Sequence, residues 1–115
     1  MNLRLKRAYD PPADSDGERI LVDRLWPRGL SKDKARIDQW LKEVAPSTGL
    51  RKWFGHDPAK WAEFQQRYRA ELDGSPAFAQ LVAIARRKQV TLVYAARDTL
   101  HNDAVVLKQL LEHGH

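Results

Sequence analysis

The sequence predicts an α/β domain in which a small, mainly parallel sheet is sandwiched by helices. Strand-like and helix-like segments follow one another in the order strand, strand, helices, strand, helix. This order is typical of parallel sheets whose strands are joined by right-handed crossovers. The length of 115 residues suits a single domain spanning residues 1–115, with enough chain to bury one modest core.

Three segments have the composition of β-strands. Residues 3–9 alternate apolar and basic side chains, which is typical of a strand with one face in water. Residues 19–26 are apolar and β-branched through their middle, as expected for a central strand covered on both faces. Residues 90–95 concentrate β-forming side chains and give the strongest strand signal. Turn-forming residues 10–17 separate the first two strands.

Helical spacing dominates the stretch that follows the second strand. Ser31 is a good N-cap, and apolar residues then recur at helical spacing, so we predict a helix over residues 32–44 that Pro46 stops. Ser47 caps a short helical turn that closes at Gly55.

Three longer helices are predicted in the rest of the chain. The first two begin at Asp57 and Ser75, each a capping residue followed by proline at the first helical position. The second of them ends in the basic triplet 86–88, which complements the negative end of the helix dipole. Asn102 or Asp103 caps a final helix whose apolar residues leave little of its circumference polar.

Composition excludes several classes of protein and of chemistry. The chain has no cysteine, which removes disulfides, thiolate metal sites and cysteine nucleophiles. With 43% hydrophobic and 30% charged residues, it is too apolar for disorder and too polar for a membrane span. No secretory signal follows the basic N-terminus, so we expect a cytoplasmic protein. The net charge of +5 favours anionic partners, although charge spread along the chain also fits a plain solvated surface.

The first candidate binding loop comprises residues 23–29. It follows the second predicted strand, where parallel sheets place their ligands, and it sets Arg24, Arg28 and the indole of Trp26 around a rigid bend. Guanidinium groups match the geometry of phosphate and carboxylate. The structural alternative is that Asp23 pairs with Arg24 or Arg28 while Trp26 belongs to the core.

The second candidate loop comprises residues 96–102, between the last strand and the final helix. Arg97 supplies a cation, and an Asp98–His101 pair can orient an imidazole as a general base. Asn102 adds an amide to the same loop. The alternative is that Asp98 and Asn102 only cap the helix and satisfy backbone groups of the loop.

A third cluster lies in residues 47–57. Arg51, Trp53 and His56 mix cations with an aromatic plane, a combination that can stack on a nucleotide base and neutralise its phosphate. The alternative is that Trp53 anchors the core and His56 is a helix-entry residue.

We expect neither a metal site nor a cofactor. The histidines do not have the spacing of metal ligands to each other or to carboxylates. The chain also lacks a glycine-rich dinucleotide fingerprint and a phosphate-cradling glycine-lysine loop, which disfavours nucleotide-cofactor redox chemistry.

Several blocks of sequence carry a resemblance to a known family. They are LVDRLWPRG at 21–29, APS at 45–47, LRKWFGHD at 50–57, VTLVYAA at 90–96 and NDA at 102–104. Together they resemble the YeaO-like branch of the bacterial domain of unknown function 488, and the likeness extends over residues 9–111.

The resemblance implies a parallel α/β sheet domain. Another branch of the family carries a cysteine at the end of the last strand and a Cys-His-Arg triplet before the last helix. The matching positions here hold Tyr94 and Leu100-His101-Asn102, so only the histidine is retained and the thiol chemistry of that branch does not transfer. The layout is also similar to rhodanese and cysteine-phosphatase folds, whose loop cradles an anion.

We therefore expect the three segments to converge on one basic, tryptophan-lined cleft that holds a phosphorylated or otherwise anionic small molecule or a nucleotide. The predicted ligand-binding residues are Arg24, Trp26, Arg28, Arg51, Trp53, His56, Arg97 and Asn102. If a reaction occurs, His101 oriented by Asp98, or else His56, acts as acid or base.

Two other classes of function remain open. One is a nucleic-acid-binding or regulatory module, in which Arg51, Lys52 and residues 86–88 contact backbone phosphates. The other is an interaction protein without a ligand. The sequence leaves the identity of the ligand, the existence of a reaction and the oligomeric state open.

Overall fold

A computed structural model describes residues 1–113. Within them, one sheet contains the strands β1 (Leu3–Arg7), β2 (Glu18–Leu21), β3 (Gln39–Trp40) and β4 (Val90–Tyr94). The strand order is β1-β4-β2-β3, and every pairing is parallel. The predicted α/β class with a small parallel sheet is confirmed.

The helices follow the predicted order, apart from the first. They are α1 (Lys32–Ala35), α2 (Thr48–Phe54), α3 (Trp61–Leu72), α4 (Pro76–Arg87) and α5 (Asp103–His113). The serine N-caps are confirmed, because Ser31, Ser47 and Ser75 each accept a hydrogen bond from the backbone N–H three residues later. None of the helices within residues 1–113 is both long and apolar enough to cross a membrane.

The predicted helix over residues 32–44 is wrong. α1 ends after about one turn, where Arg36 adopts a left-handed conformation with φ 48°. The chain then extends into β3, and the N–H of Asp38 donates to the carbonyl of Arg19 at 2.9 Å. A helix this short is marginally stable on its own. Pairing with the exposed backbone groups of β2 therefore stabilises the extended conformation of residues 39–40 more than a helix would.

The predicted second strand also ends early. β2 stops at Leu21, and the N–H of Val22 makes one further bond to Val93. Beyond it, the side chain of Asp23, and not the backbone, accepts a 2.8 Å hydrogen bond from the N–H of Ala95. Because a side chain takes the place of a backbone acceptor here, the ladder ends, and residues 24–29 leave the sheet as a loop at its carboxyl edge.

The two faces of the sheet are covered differently. Alternate strand residues such as Ile20 and Leu92 belong to the main core together with the buried residues of α2, α3, α4 and α5. On the other face, Leu21 and Val93 pack with partly buried Trp26 from the loop that follows β2. A large helical layer therefore covers one face, and α1 with its flanking loops covers the other.

The amino edge of the sheet is closed by an ion pair and a tight turn. Buried Asp16 accepts a 2.6 Å hydrogen bond from the guanidinium of buried Arg19. Next to it, Gly17 has φ 66°, and a Cβ there would lie 2.5 Å from the carbonyl oxygen of Gln89. Only glycine fits this close approach without displacing backbone.

Candidate functional site

A cavity of about 450 Å³ opens at the opposite, carboxyl edge of the sheet. Its walls come from the loops that follow β1, β2 and β4, from the end of α2 and from the start of α5. Ligands of parallel α/β sheets bind at this edge, because loops from several strands meet there.

Most of the predicted site residues line this cavity. They are Arg24, Trp26, Arg28, Arg51, His56, His101 and Asn102. Segments that are distant in sequence therefore share one concavity, as expected from the convergence of strand ends.

Two predicted ligand-binding residues do not line the cavity. Trp53 lies on the side of α2 that faces α3, where Arg67 covers its ring at 4.4 Å and Lys60 at 5.2 Å. Arg97 is exposed, at the start of a turn whose later residues, His101 and Asn102, reach the cavity. Trp53 and Arg97 therefore lie outside the lining of this cavity.

The three arginines of the cavity differ in what holds them. Arg24 donates from Nε to the carbonyl of Pro46 at 3.3 Å and from Nη2 to that of Ala45 at 3.2 Å. Arg28 and Arg51 are exposed, and within residues 1–113 no hydrogen bond or ion pair holds either guanidinium group. Arg24 thus positions the wall, whereas Arg28 and Arg51 are available to a ligand.

Trp26 combines both roles that the sequence left open. Its indole N–H donates to the carbonyl of Leu30 at 2.6 Å, and its ring meets that of Trp40 edge-on at 5.6 Å. The same ring packs against Leu21 and Val93 on the second face of the sheet. Trp26 is therefore a half-buried core residue that also presents a surface to the cavity.

Two aspartates that the sequence analysis did not assign to a site form the acidic part of the cavity wall. Asp23 and Asp103 both line it, and each lies close enough to the other to shift its pKa. Asp23 also accepts from the N–H of Ala95 at 2.8 Å, and Asp103 from the N–H of Ala104 at 2.9 Å. Within residues 1–113 no ion pair joins Asp23 to Arg24 or Arg28, so the ion pairing in the structural alternative for this loop does not hold.

Burial raises the pKa values of these two aspartates. Burial raises the pKa of Asp103 well above its ordinary value, and the nearby charge of Asp23 raises it further. Burial also raises the pKa of Asp23, although Arg51 and His56 oppose that effect. Both carboxyl groups are therefore harder to ionise than an isolated exposed aspartate.

Asp98 and His101 form the pair that the spacing predicts. Nδ1 of His101 lies 2.8 Å from Oδ2 of Asp98, and the His101 ring meets Trp61 edge-on at 5.2 Å. Hydrogen bonds from the N–H of Leu100 and from His101 lower the pKa of Asp98. Asp98 itself lies outside the cavity and orients the imidazole that lines it.

Asn102 is the N-cap of α5. Its Oδ1 accepts from the N–H of Val105 at 3.1 Å, and its Nδ2 donates to the carbonyl of Asp98 at 2.9 Å. It is buried, and its amide is already engaged, so its role is to hold the loop against the helix. The capping alternative therefore describes Asn102 better than a direct ligand contact.

Strained backbone brings His56 to the cavity. It has φ 58° directly after Gly55, which has φ 54°, so two successive residues adopt the left-handed conformation. A non-glycine residue there is uncommon, and the turn directs His56 toward the cavity that α2 borders.

The basic triplet 86–88 lies at the other end of the sheet, because it ends α4 just before β4 begins. Lys88 pairs there with Glu18 at 3.6 Å. The cations proposed for a nucleic-acid surface thus lie at opposite edges of the sheet. In the described part of the chain, no group of three or more histidine, aspartate or glutamate side chains is arranged to hold a metal ion.

Comparisons with known proteins agree with the resemblance in the sequence. The chain is 46% identical over 112 residues to the uncharacterized protein YeaO of Escherichia coli, which covers 96% of this chain and 97% of that protein. It is 45% identical over 109 residues to the uncharacterized protein Rv3073c of Mycobacterium tuberculosis, covering 95% and 92%. No solved structure matches it. The profile of the DUF488-N3i family, described as the inactive DUF488-N3 subclade, matches residues 2–115, and the chain therefore belongs to this YeaO-like DUF488 family.

Proposed function

We propose that the protein binds a small anionic ligand, a phosphorylated small molecule or a nucleotide, in the cavity at the carboxyl edge of the sheet. The observation that carries the proposal is that Arg28 and Arg51, both without an ion-pair partner in the described chain, border one concavity. Guanidinium groups held on different elements suit the several oxygens of a phosphate.

The charge balance of the cavity supports the same proposal. Three arginines, Arg24, Arg28 and Arg51, outnumber the two carboxyl groups of the lining, Asp23 and Asp103. Glu43, 3.9 Å from Arg24, is exposed and lies outside the lining. The cavity is therefore net cationic. Its volume of about 450 Å³ lies within the range of small-molecule sites.

Binding without turnover fits the family better than catalysis. The family is described as an inactive subclade, and the chain has no cysteine to act as a nucleophile. In this proposal the Asp98–His101 pair orients an imidazole as a hydrogen-bonding wall of the cavity, and we assign no reaction to it.

The test is a nuclear magnetic resonance titration of the full chain with inorganic phosphate, ribose 5-phosphate and nucleoside monophosphates. We expect shifts of the amide signals of Ala95, Ala96 and Ala104. Replacing both Arg28 and Arg51 by alanine should weaken binding about ten- to hundredfold, because charged hydrogen bonds are lost. The matched control is Arg86→Ala, an exposed arginine at the opposite edge.

Two outcomes would contradict the proposal. One is the absence of shifts with every phosphate compound up to about 10 mM, beyond the weak end of useful affinity. The other is binding that falls equally in the Arg86→Ala control. A steep loss of affinity for single-stranded nucleic acid with rising salt would instead support the nucleic-acid alternative, since many phosphate contacts release many counterions.

A further inference from the structure

We infer that His101 is a third contact for the bound anion and makes this contact as an imidazolium, so that the cavity takes up an oxyanion together with a proton. The inference rests on the proposed function and adds a hydrogen-bond donor to the arginines Arg28 and Arg51. Its consequence is an affinity for the anion that falls as the pH rises.

The first step is the state of Asp98. Its Oδ1 accepts from the backbone N–H groups of Leu100 at 2.9 Å and of His101 at 3.1 Å. These bonds and the one from the His101 ring hold the pKa of Asp98 below its ordinary value, so the group is a carboxylate at neutral pH. A carboxylate only accepts hydrogen bonds. The ring nitrogen that lies 2.8 Å from Oδ2, Nδ1 of His101, therefore carries a proton.

The second step concerns the other ring nitrogen of His101, Nε2. Because Nδ1 holds a proton, Nε2 is an acceptor in the neutral imidazole and a donor only in the imidazolium. Within residues 1–113 Nε2 has no hydrogen-bond partner, and 30% of the side chain is exposed. His101 lines the cavity whereas Asp98 does not, which leaves the ring edge opposite Asp98, the edge with Nε2, to a ligand.

The third step is the set of charges around the ring. In the described part of the chain, Asp98 is the only ionisable side chain bonded to the imidazole, and α3 contributes the uncharged ring of Trp61, 5.2 Å away between centroids. The other ionisable groups face the ring across the cavity, and they are Tyr9, Asp23, Arg24, Arg28, Arg51, His56 and Asp103. An anion held by the arginines would therefore be the second negative partner of His101, after Asp98.

An oxyanion in the cavity links binding to protonation. The lone pair of Nε2 in the neutral ring repels an oxyanion, whereas the imidazolium donates a charged hydrogen bond to it. The anion favours the protonated ring, and the protonated ring favours the anion by the same factor. A charged hydrogen bond of this kind changes affinity about ten- to hundredfold.

The test is a nuclear magnetic resonance titration of the full chain with inorganic sulfate at about pH 6 and about pH 8.5, on either side of the range in which imidazole titrates. Sulfate keeps its charge between these values, and chloride holds the ionic strength constant. We expect the dissociation constant to rise about ten- to hundredfold at the higher pH. His101→Gln, which cannot titrate, should remove most of this dependence while sulfate still binds to the arginines.

The ring nitrogen signals of His101 in the unchanged protein give a second measurement that needs no variant. Without sulfate at the higher pH, they should report a proton on Nδ1 and none on Nε2. A proton on Nε2 in that state would overturn the inference, because the neutral ring would then already be a donor to the cavity.

Asp98→Asn tests Asp98 as a positioning residue. The one side-chain oxygen of asparagine accepts the backbone N–H groups, and its amide then donates to Nδ1, which moves the proton of the neutral ring to Nε2. The ring can donate to the anion without a further proton. At about pH 8.5 this variant should bind sulfate more tightly than the unchanged protein. The matched control Asp14→Asn, an exposed acid at the opposite edge, should keep the original pH dependence.

His56, Asp23 and Asp103 also titrate in the cavity and can produce the same trend. His56→Asn and Asp103→Asn test them, since asparagine tolerates the left-handed backbone of residue 56. A pH dependence that survives His101→Gln and disappears in either of these variants would overturn the inference.

The remaining outcomes separate the inference from the proposed function. If sulfate binds equally well at both pH values, or does not bind while phosphate compounds do, the inference is overturned and the proposed function stays intact. If sulfate, inorganic phosphate, ribose 5-phosphate and nucleoside monophosphates all fail to bind, the proposed function falls together with the inference.

Discussion

Asp16 at the amino edge of the sheet is buried and Asp103 at its carboxyl edge is half-buried, and their partners differ. Asp16 meets two cations, Arg19 at 2.6 Å and Lys6 at 3.1 Å, and also accepts from the N–H of Ala13. Asp103 meets another carboxyl group, that of Asp23. One edge pairs opposite charges, and the other brings like charges together.

The pKa values follow the partners. Burial alone would raise the pKa of Asp16, but hydrogen bonds from Ala13, Lys6 and Arg19 lower it below its ordinary value. At the other edge, burial and Asp23 both raise the pKa of Asp103. A buried acid with a complete set of cationic partners supports the fold, whereas an acid whose pKa is raised by burial and by a neighbouring acid is typical of a functional site.

The largest expected effect comes from breaking the Asp16–Arg19 ion pair at the amino edge of the sheet. Asp16→Ala leaves the guanidinium of buried Arg19 without its anion, which should lower the free energy of unfolding by about 3–5 kcal/mol. Urea unfolding followed by circular dichroism measures it. The double variant Asp16→Ala/Arg19→Met removes both charges and should recover part of the loss. A single variant within about 1 kcal/mol of the unchanged protein would show that this ion pair does not stabilise the fold.

At the carboxyl edge, replacing Asp103 should raise stability near neutral pH, by less than the loss expected for Asp16→Ala. Because the pKa of Asp103 is raised in the folded state, its contribution to stability is complete below the unfolded pKa of about 3.9 and is lost as the pH rises through the folded pKa. The amide introduced by Asp103→Asn does not titrate. The melting temperature of this variant minus that of the unchanged protein should therefore increase from pH 4 to pH 8. A gain of about 1 kcal/mol in the free energy of unfolding corresponds to several degrees.

The groups around Asp103 define the control for this measurement. Asp23 is the neighbouring acid, Arg51 and His56 are the nearby cations, and Tyr68, whose pKa burial raises well above its ordinary value, stays neutral in this range. Asp14→Asn leaves all of them in place and should show no such trend with pH. A flat difference between Asp103→Asn and the unchanged protein over the whole range would contradict the raised pKa of Asp103.

The smallest expected effect concerns a surface ion pair beside the buried one. Lys88 meets Glu18 at 3.6 Å with its own side chain 56% exposed. Lys88→Ala should change the free energy of unfolding by less than about 1 kcal/mol, because exposed ion pairs contribute little. Urea unfolding in low and high salt checks this, and a loss as large as that of Asp16→Ala would mean that burial is not what separates the two pairs.

The sequence could predict the parts of the site that depend on chain order. Arg24, Arg28 and His101 follow predicted strands, and the carboxyl ends of parallel strands meet at one edge, so their convergence could be expected. The position of Trp53 outside the cavity lining has a local cause, since helical spacing does not say which neighbour a face packs against. Trp53 faces the cations of α3 and its preceding turn.

The Asp23–Asp103 pair lies beyond what spacing alone reveals. The two aspartates are distant in the chain, and each has an ordinary local explanation, one at the end of a strand and one at the start of a helix. The sequence could have suggested their contact only through one feature: both positions fall at the carboxyl edge of the predicted parallel sheet. Their contact depends on β4 lying next to β2, which is a property of the strand order.

The amino-acid sequence by itself determined the α/β class, the serine caps, the absence of thiol chemistry and the family. Composition, short-range periodicity and capping chemistry act within a few residues and can be read directly along the chain. The tertiary structure alone decided that residues 39–40 pair with β2 as a strand and not as part of a helix. It also decided that two carboxyl groups share a cavity wall with unpaired arginines, because both outcomes depend on contacts between segments far apart in the chain.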